Sequence, residues 1–115
     1  MSLQHAFSRK AIDPLHSGEA LKDYVTPTKI DLDYVPGLTQ MGYFYELLTN
    51  EFGMRWMNGG TLTTKLLAPL YNGEQVLVDG RVVAEGEAGE VELEVWIEKS
   101  DGTRVTVATA RCPGA

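Results

Sequence analysis

From Gly37 to Phe52 the apolar positions recur every three or four residues, and beyond Gly60 they recur at every second residue. The first period is that of a helix resting one face on a core, and the second is that of strands with one buried face. Leu38, Met41, Tyr45, Leu48 and Phe52 form the helical stripe, with Gln40, Tyr43, Glu46, Leu47 and Asn50 on its flanks and Gly53 as its stop. At about 1.5 Å per residue such a helix is roughly 24 Å long, enough to cross several strands. Val91, Leu93, Val95 and Ile97 alternate with Glu92, Glu94, Trp96 and Glu98, as in an antiparallel strand with one wet face. Asp101-Gly102 predicts a hairpin, with Val105 and Val107 on the returning strand. Residues 75–85 alternate through Val76, Val78, Val82 and Ala84, while Leu62, Thr64 and Leu66 supply a fourth strand. Ahead of the long helix, Ile30, Leu32 and Tyr34 alternate with Asp31 and Asp33, which fits either a strand over 28–35 or an extended loop. Ser17 to Tyr24 reads as a short helix capped by Ser17. One long helix followed by short-turned strands is an α+β arrangement, the helix laid on one face of an antiparallel sheet.

A chain of 115 residues fits one domain, residues 1–115, and 43% hydrophobic with 23% charged residues is the composition of a folding globular chain. At this size much apolar surface stays uncovered, so a homodimer or higher homo-oligomer is favoured. A net charge of −6 offers no sustained attraction to phosphate backbones, which argues against nucleic acid as a partner. It leaves room for an anionic ligand such as a coenzyme A thioester, held locally by backbone N–H groups and a few Lys or Arg side chains. Cys112 is the single cysteine, so no internal disulfide or thiolate cluster forms, and His5 and His16 are too few for a His-rich metal site. No apolar run has the length of a signal peptide or a membrane span, so the expectation is a cytoplasmic chain with no membrane partner.

The run Asp13-Pro14-Leu15-His16-Ser17-Gly18-Glu19-Ala20 resembles the Asn-Pro-x-His-x-Asp-Glu-x-Ala run of the MaoC-like dehydratases, the group that includes the (R)-specific enoyl-CoA hydratases. Val35-Pro36-Gly37-Leu38 is similar to the Val-His-Gly-Met opening of their central helix. Phe52-Gly53, Trp56, Gly59-Gly60, Lys65, Ala68-Pro69-Leu70 and Gly73-Glu74-Gln75-Val76 follow in the family's order, so the likeness runs from Ala11 to Ala110. It implies a hotdog fold, in which an antiparallel sheet wraps one long helix. Family members place a strand and a helix before the His loop, so a chain with so few residues ahead of His16 reads as an N-terminally short hotdog.

The resemblance also implies a chemistry. In family hydratases an Asp and a His on the loop before the helix hold the water that adds to a 2-enoyl thioester, one group taking a proton and the other supplying one as the carbonyl gains enolate charge. His16 stands at the family histidine, but the family aspartate position, five residues earlier, holds Ala11. Asp13, at the family's asparagine, then orients the imidazole. Gly37 offers its amide to the developing oxyanion at the positive end of the helix dipole. Pro36, Leu38, Tyr43 and Glu46 are the remaining substrate-binding candidates. Plainer roles stand beside these: His16 as a helix-terminal hydrogen bonder, Asp13-Pro14 as a turn, Pro36-Gly37 as a tight turn, and Lys65, Arg55 and Arg81 as solvated cations. The functional expectation is an enoyl-CoA hydratase or dehydratase acting on an acyl-CoA or acyl carrier protein thioester, with no cofactor beyond the carrier. The alternatives are a hotdog thioesterase using Glu46, and a non-catalytic acyl-thioester-binding protein that has lost the dyad.

Overall fold

The computed structural model describes residues 3–11, 35 and 37–114. The short helix expected over 17–24, most of the segment 28–35, and Asp13, His16 and Pro36 lie outside the described residues. Strand β1 (Phe7–Lys10) comes first, then helix α1 (Gly37–Phe52), the single-turn helix α2 (Met54–Met57), and strands β2 (Thr61–Leu66), β3 (Gln75–Glu85), β4 (Val91–Lys99) and β5 (Arg104–Cys112). The five strands form one antiparallel sheet in the order β1-β3-β4-β5-β2. No helix among the described residues is long and apolar enough to cross a membrane.

Helix α1 and the four later strands occupy the spans that the periodicity predicts. A first strand, expected to be missing, is present: Phe7 to Lys10 pair with Val78 to Gln75 of β3. Four residues reading Phe-Ser-Arg-Lys carry too little alternation to announce a strand, and their pairing partner lies far along the chain.

The register sorts the two faces of the sheet. Phe7, Val78, Ile97, Thr106 and Leu66 stand in one cross-strand row facing α1, and Gly80, Val95, Ala108 and Thr64 in the next. Gly80 has no room for a side chain, because a Cβ there would lie 2.6 Å from the Glu94 carbonyl oxygen and 3.0 Å from Leu3. On the outer face Asp79, Trp96, Val107 and Lys65 form a row, with the Arg104 guanidinium 4.1 Å above the Trp96 ring. A register shift after Ile97 leaves Val105 buried as an extra residue, so Val105 and Val107 do not share a face.

Helix α1 is seated differently from its predicted stripe. Gln40, Tyr43, Phe44, Leu47 and Leu48 are buried, whereas Tyr45 is 46% exposed and Met41 and Phe52 are half-buried. The buried set has its own three-and-four spacing and is turned by about one residue from the expected one. Counting only apolar residues hid this, because one member of the true face is the polar Gln40. The helix stops at Gly53, whose φ of 61° few other residues adopt and whose N–H still donates to the Thr49 carbonyl at 2.7 Å. The two flanks of α1 differ. Toward β1, Arg9 and His5 reach Glu46 and Glu51. Toward β2, Gly37 lies against Leu66, and the Tyr45 ring lies 5.7 Å from Trp56, which covers Gly60 at the start of β2.

Candidate functional site

The chain between β2 and β3 crosses the end of the sheet where α1 begins. Leu67 and Ala68 donate to the Val105 carbonyl (2.8 and 3.2 Å) on the β5 side. By Glu74 the crossover has reached the β1 side, where Ala11 donates to the Glu74 carbonyl (2.8 Å) and accepts from the Gly73 N–H (2.7 Å). Midway, the buried Leu70 offers its carbonyl to the N–H of Val35 at 2.7 Å. Ala11 and Val35, the residues that bracket the segment containing Asp13 and His16, are therefore both fully buried and both bonded to the stretch Leu70–Glu74. Glu74 is braced in turn, accepting from the Tyr71 N–H and pairing with Lys99, each at 3.0 Å.

Gly37 opens α1 beside this crossover. The first N–H groups of a helix have no intrahelical acceptor and carry the positive end of its dipole, so they receive an anion or a carbonyl that is gaining charge. A Cβ at position 37 would come 3.3 Å from the Leu66 side chain, so glycine keeps that approach open. Leu66 itself is 50% exposed. One turn into the helix, the Gln40 amide is fully buried, donating to the Val35 carbonyl at 3.0 Å and accepting from the Thr106 hydroxyl of β5. Sequence reasoning placed Gln40 on a flank and gave it no role. The available signal was a polar residue at a core-facing position of α1 opposite Thr106, the one polar residue among the described core-facing positions of β5.

The other candidates are dispersed. Of Leu38, only the backbone is described, as part of α1. Tyr43 is 7% exposed, and the Arg9 guanidinium lies 5.6 Å from its ring centroid and 4.6 Å from that of Phe7. Glu46 meets the same guanidinium with both oxygens, at 2.5 and 2.9 Å. That hydrogen bonding, opposed by slight desolvation, holds the Glu46 carboxyl below the usual carboxylate range. Its pairing with Arg9 contributes stability above the ordinary carboxylate pKa and loses it as pH falls through the depressed value, by less than about 1 kcal/mol for so exposed a pair. A carboxylate held this way is a poorer base, and nine helical residues place Glu46 roughly 13 Å along the axis from Gly37. The two do not share one carbonyl within a single chain.

Of the cations named from the sequence, Arg55 and Arg81 have separate partners. Arg55 donates to the Pro113 and Gly89 carbonyls (3.2 and 2.7 Å), tying the end of the chain to the β3–β4 turn. Arg81 pairs with Glu94 across the outer face at 2.9 Å. Lys65 is exposed on β2, where a shallow hollow of about 380 Å³ runs past Trp96 and Arg104. That hollow is on the face of the sheet away from α1. Among the described residues, no group of three or more His, Cys, Asp or Glu side chains is arranged to hold a metal ion.

No protein-family model and no curated protein matches the sequence. Solved structures do match the fold. The (R)-hydratase from A. caviae involved in PHA biosynthesis is 17% identical, with a TM-score of 0.67 over 96% of this chain and 92% of that one. A thioesterase from Thermus thermophilus, complexed with coenzyme A and Zn, is 17% identical, with a TM-score of 0.59 over 79% of this chain and 74% of that one. The ChsH1-ChsH2 complex from Mycobacterium tuberculosis is 20% identical, with a TM-score of 0.60 over 71% of this chain, which spans 62% of the length of its counterpart there. Hydratases and thioesterases thus superpose on the same sheet and helix, and what the chain shares with them is the hotdog fold.

Proposed function

We propose that the chain is a hotdog enoyl-thioester hydratase of the MaoC-like kind, binding a 2-enoyl chain on coenzyme A or acyl carrier protein and adding water reversibly across its double bond. In this reading His16 is the acid/base, Asp13 orients its imidazole, and the Gly37 amide stabilises the enolate oxygen. The observation that carries it is the pinning of Ala11 and Val35 to one short stretch of the crossover. Ala11 is thereby tied to the crossover that passes the start of α1, and the reading requires His16 to reach the Gly37 amide from there within the at most about 18 Å that five residues can span. The functional unit is a homodimer joined along β2. Among the described residues β2 is an edge strand and runs beside the exposed Tyr45 and Leu66, whereas the β1 flank of the helix is closed by Arg9 and His5.

A specific observation supports a second reading, that of an acyl-thioester-binding chain without turnover: the family aspartate position is filled by a buried alanine. The thioesterase reading has less support, because Glu46 is occupied by Arg9. Incubation with crotonyl-CoA separates all three. Hydration removes the enoyl absorbance and releases no thiol, thioester cleavage releases one, and binding alone does neither. His16→Ala is expected to lower hydration by about 10²- to 10⁴-fold while leaving the far-UV circular dichroism unchanged. Undiminished hydration in that variant removes His16 from the mechanism.

A further inference from the structure

Of all the side chains around the start of α1, the one least explained by packing is Gln40. It is fully buried on the same helix as the buried Phe44 and Leu47, and it meets the sheet at the buried Thr106 of β5, whose cross-strand neighbour is Ile97. Burying a primary amide is unfavourable unless its hydrogen bonds are made, and a leucine would fill similar space without needing any. Both ends of this amide are engaged. The nitrogen donates to the Val35 carbonyl, and the oxygen accepts from Thr106. Thr106 is itself fully buried and set in the β5 ladder opposite Ile97 and Leu66. The Val35 carbonyl sets the sense of the amide, because the flipped rotamer would turn the Gln40 oxygen against it, acceptor against acceptor, and the Thr106 hydroxyl then donates to the oxygen that remains.

The held carbonyl belongs to a particular residue. Val35 is fixed at its other end by donating to Leu70, so the peptide groups on either side of its Cα are both tied, one to the crossover and one through Gln40 to the sheet. Only Pro36 separates it from the N–H of Gly37. Rotation of the chain at 35–36 is the movement that would re-aim that N–H, and Gln40 restrains it. A donor that stabilises charge in a transition state acts through its fixed direction, since reorienting it during reaction would cost much of what it contributes.

We infer that Gln40, supported by Thr106, is a positioning residue that sets the direction of the Gly37 amide toward the acyl carbonyl of the ligand. The inference rests on the proposed reading of Gly37 as an oxyanion donor. Gln40 touches no ligand; it acts through Val35.

Acetoacetyl-CoA is a suitable probe, because its enolate absorbs where the keto form does not and is favoured where a donor meets the thioester oxygen. The full-length protein is titrated with acetoacetyl-CoA and, separately, with coenzyme A, which lacks the carbonyl. Wild type is expected to show the enolate band on binding. Gln40→Leu is expected to reduce the bound enolate fraction at least tenfold, leave coenzyme A affinity within about twofold, and lower kcat toward crotonyl-CoA by about 10²-fold with little change in KM, the scale of losing one oxyanion donor. In Gln40→Glu only a protonated carboxyl donates to Val35, so the band relative to wild type is expected to recover as pH falls. A folded Gln40→Leu with the wild-type band and kcat overturns the inference alone. Should Gln40→Leu not fold, a Gln40→Glu band that tracks wild type at every pH overturns it equally. Wild type binding acetoacetyl-CoA without any enolate band, or not binding it, overturns the reading of Gly37 together with the inference.

Discussion

Ala11 illustrates how one side chain separates two accounts of the chain. Its methyl group is fully buried, and its N–H and carbonyl are both bonded to the Gly73–Glu74 turn, so the position that the sequence resemblance sets opposite a carboxylate is part of the core. Ala11→Asp puts a carboxyl into that core, and without a cationic partner its burial costs at least about 2 kcal/mol in the ionised form. Burial raises the carboxyl's folded-state pKa above its unfolded one, so the variant's deficit is expected to grow as pH rises through the ordinary carboxylate range and beyond. Urea unfolding at pH 4 and pH 8 reads this directly. If the charged His16 ring faces position 11, the sign reverses: the deficit shrinks while both groups are ionised, and hydration of crotonyl-CoA rises above the wild-type rate. Cys112 poses no such question, since burial pushes its thiol up despite the nearby Arg55, and it stays a thiol rather than a nucleophile at neutral pH.

For single elements, the face of α1 is where sequence and structure part company. The boundaries of the helix were legible because Pro36-Gly37 and Gly53 punctuate it, and those of β3, β4 and β5 because alternation and glycine turns mark them. The rotation of the helix was not, because the apolar residues of 37–52 encircle nearly two faces, and only the sheet decides which one is covered. Phe44, Leu47 and Leu48 are buried, while Met41 is half-buried and Tyr45 is exposed beside Trp56, so both sets look hydrophobic in the sequence. The candidate site was legible at Gly37, where the helix starts, and illegible at Gln40, whose meaning depends on Thr106 far away in the chain. Truncation tests the observed face. Leu47→Ala is expected to cost about 2–5 kcal/mol in equilibrium urea unfolding, against less than about 1 kcal/mol for Tyr45→Ser in dilute protein. Equal losses would restore the predicted stripe.

For the molecule as a whole, asymmetry between the two sheet edges bears on assembly. At one edge β1 is short and its helix flank is closed by charged side chains, and at the other β2 is longer, with Tyr45, Leu66 and Leu67 uncovered beside it. Joining two copies along β2, an edge strand among the described residues, would pair its outer backbone groups and cover those side chains in one step. Tyr45→Glu combined with Leu66→Glu is expected to shift sedimentation from dimer to monomer with the fold retained, and a wild-type monomer at micromolar concentration would exclude the assembly. The bonds that hold Ala11 and Val35 have a consequence of another kind. Because Ala11 and Val35 are both bonded to the stretch Leu70–Glu74, two positions well apart in the sequence are clasped by one short piece of the crossover, and a change in that piece is felt at both. Through Val35 the clasp reaches the carbonyl that Gln40 holds, so a substitution in the crossover that loosens it is transmitted to the start of α1 without touching the helix.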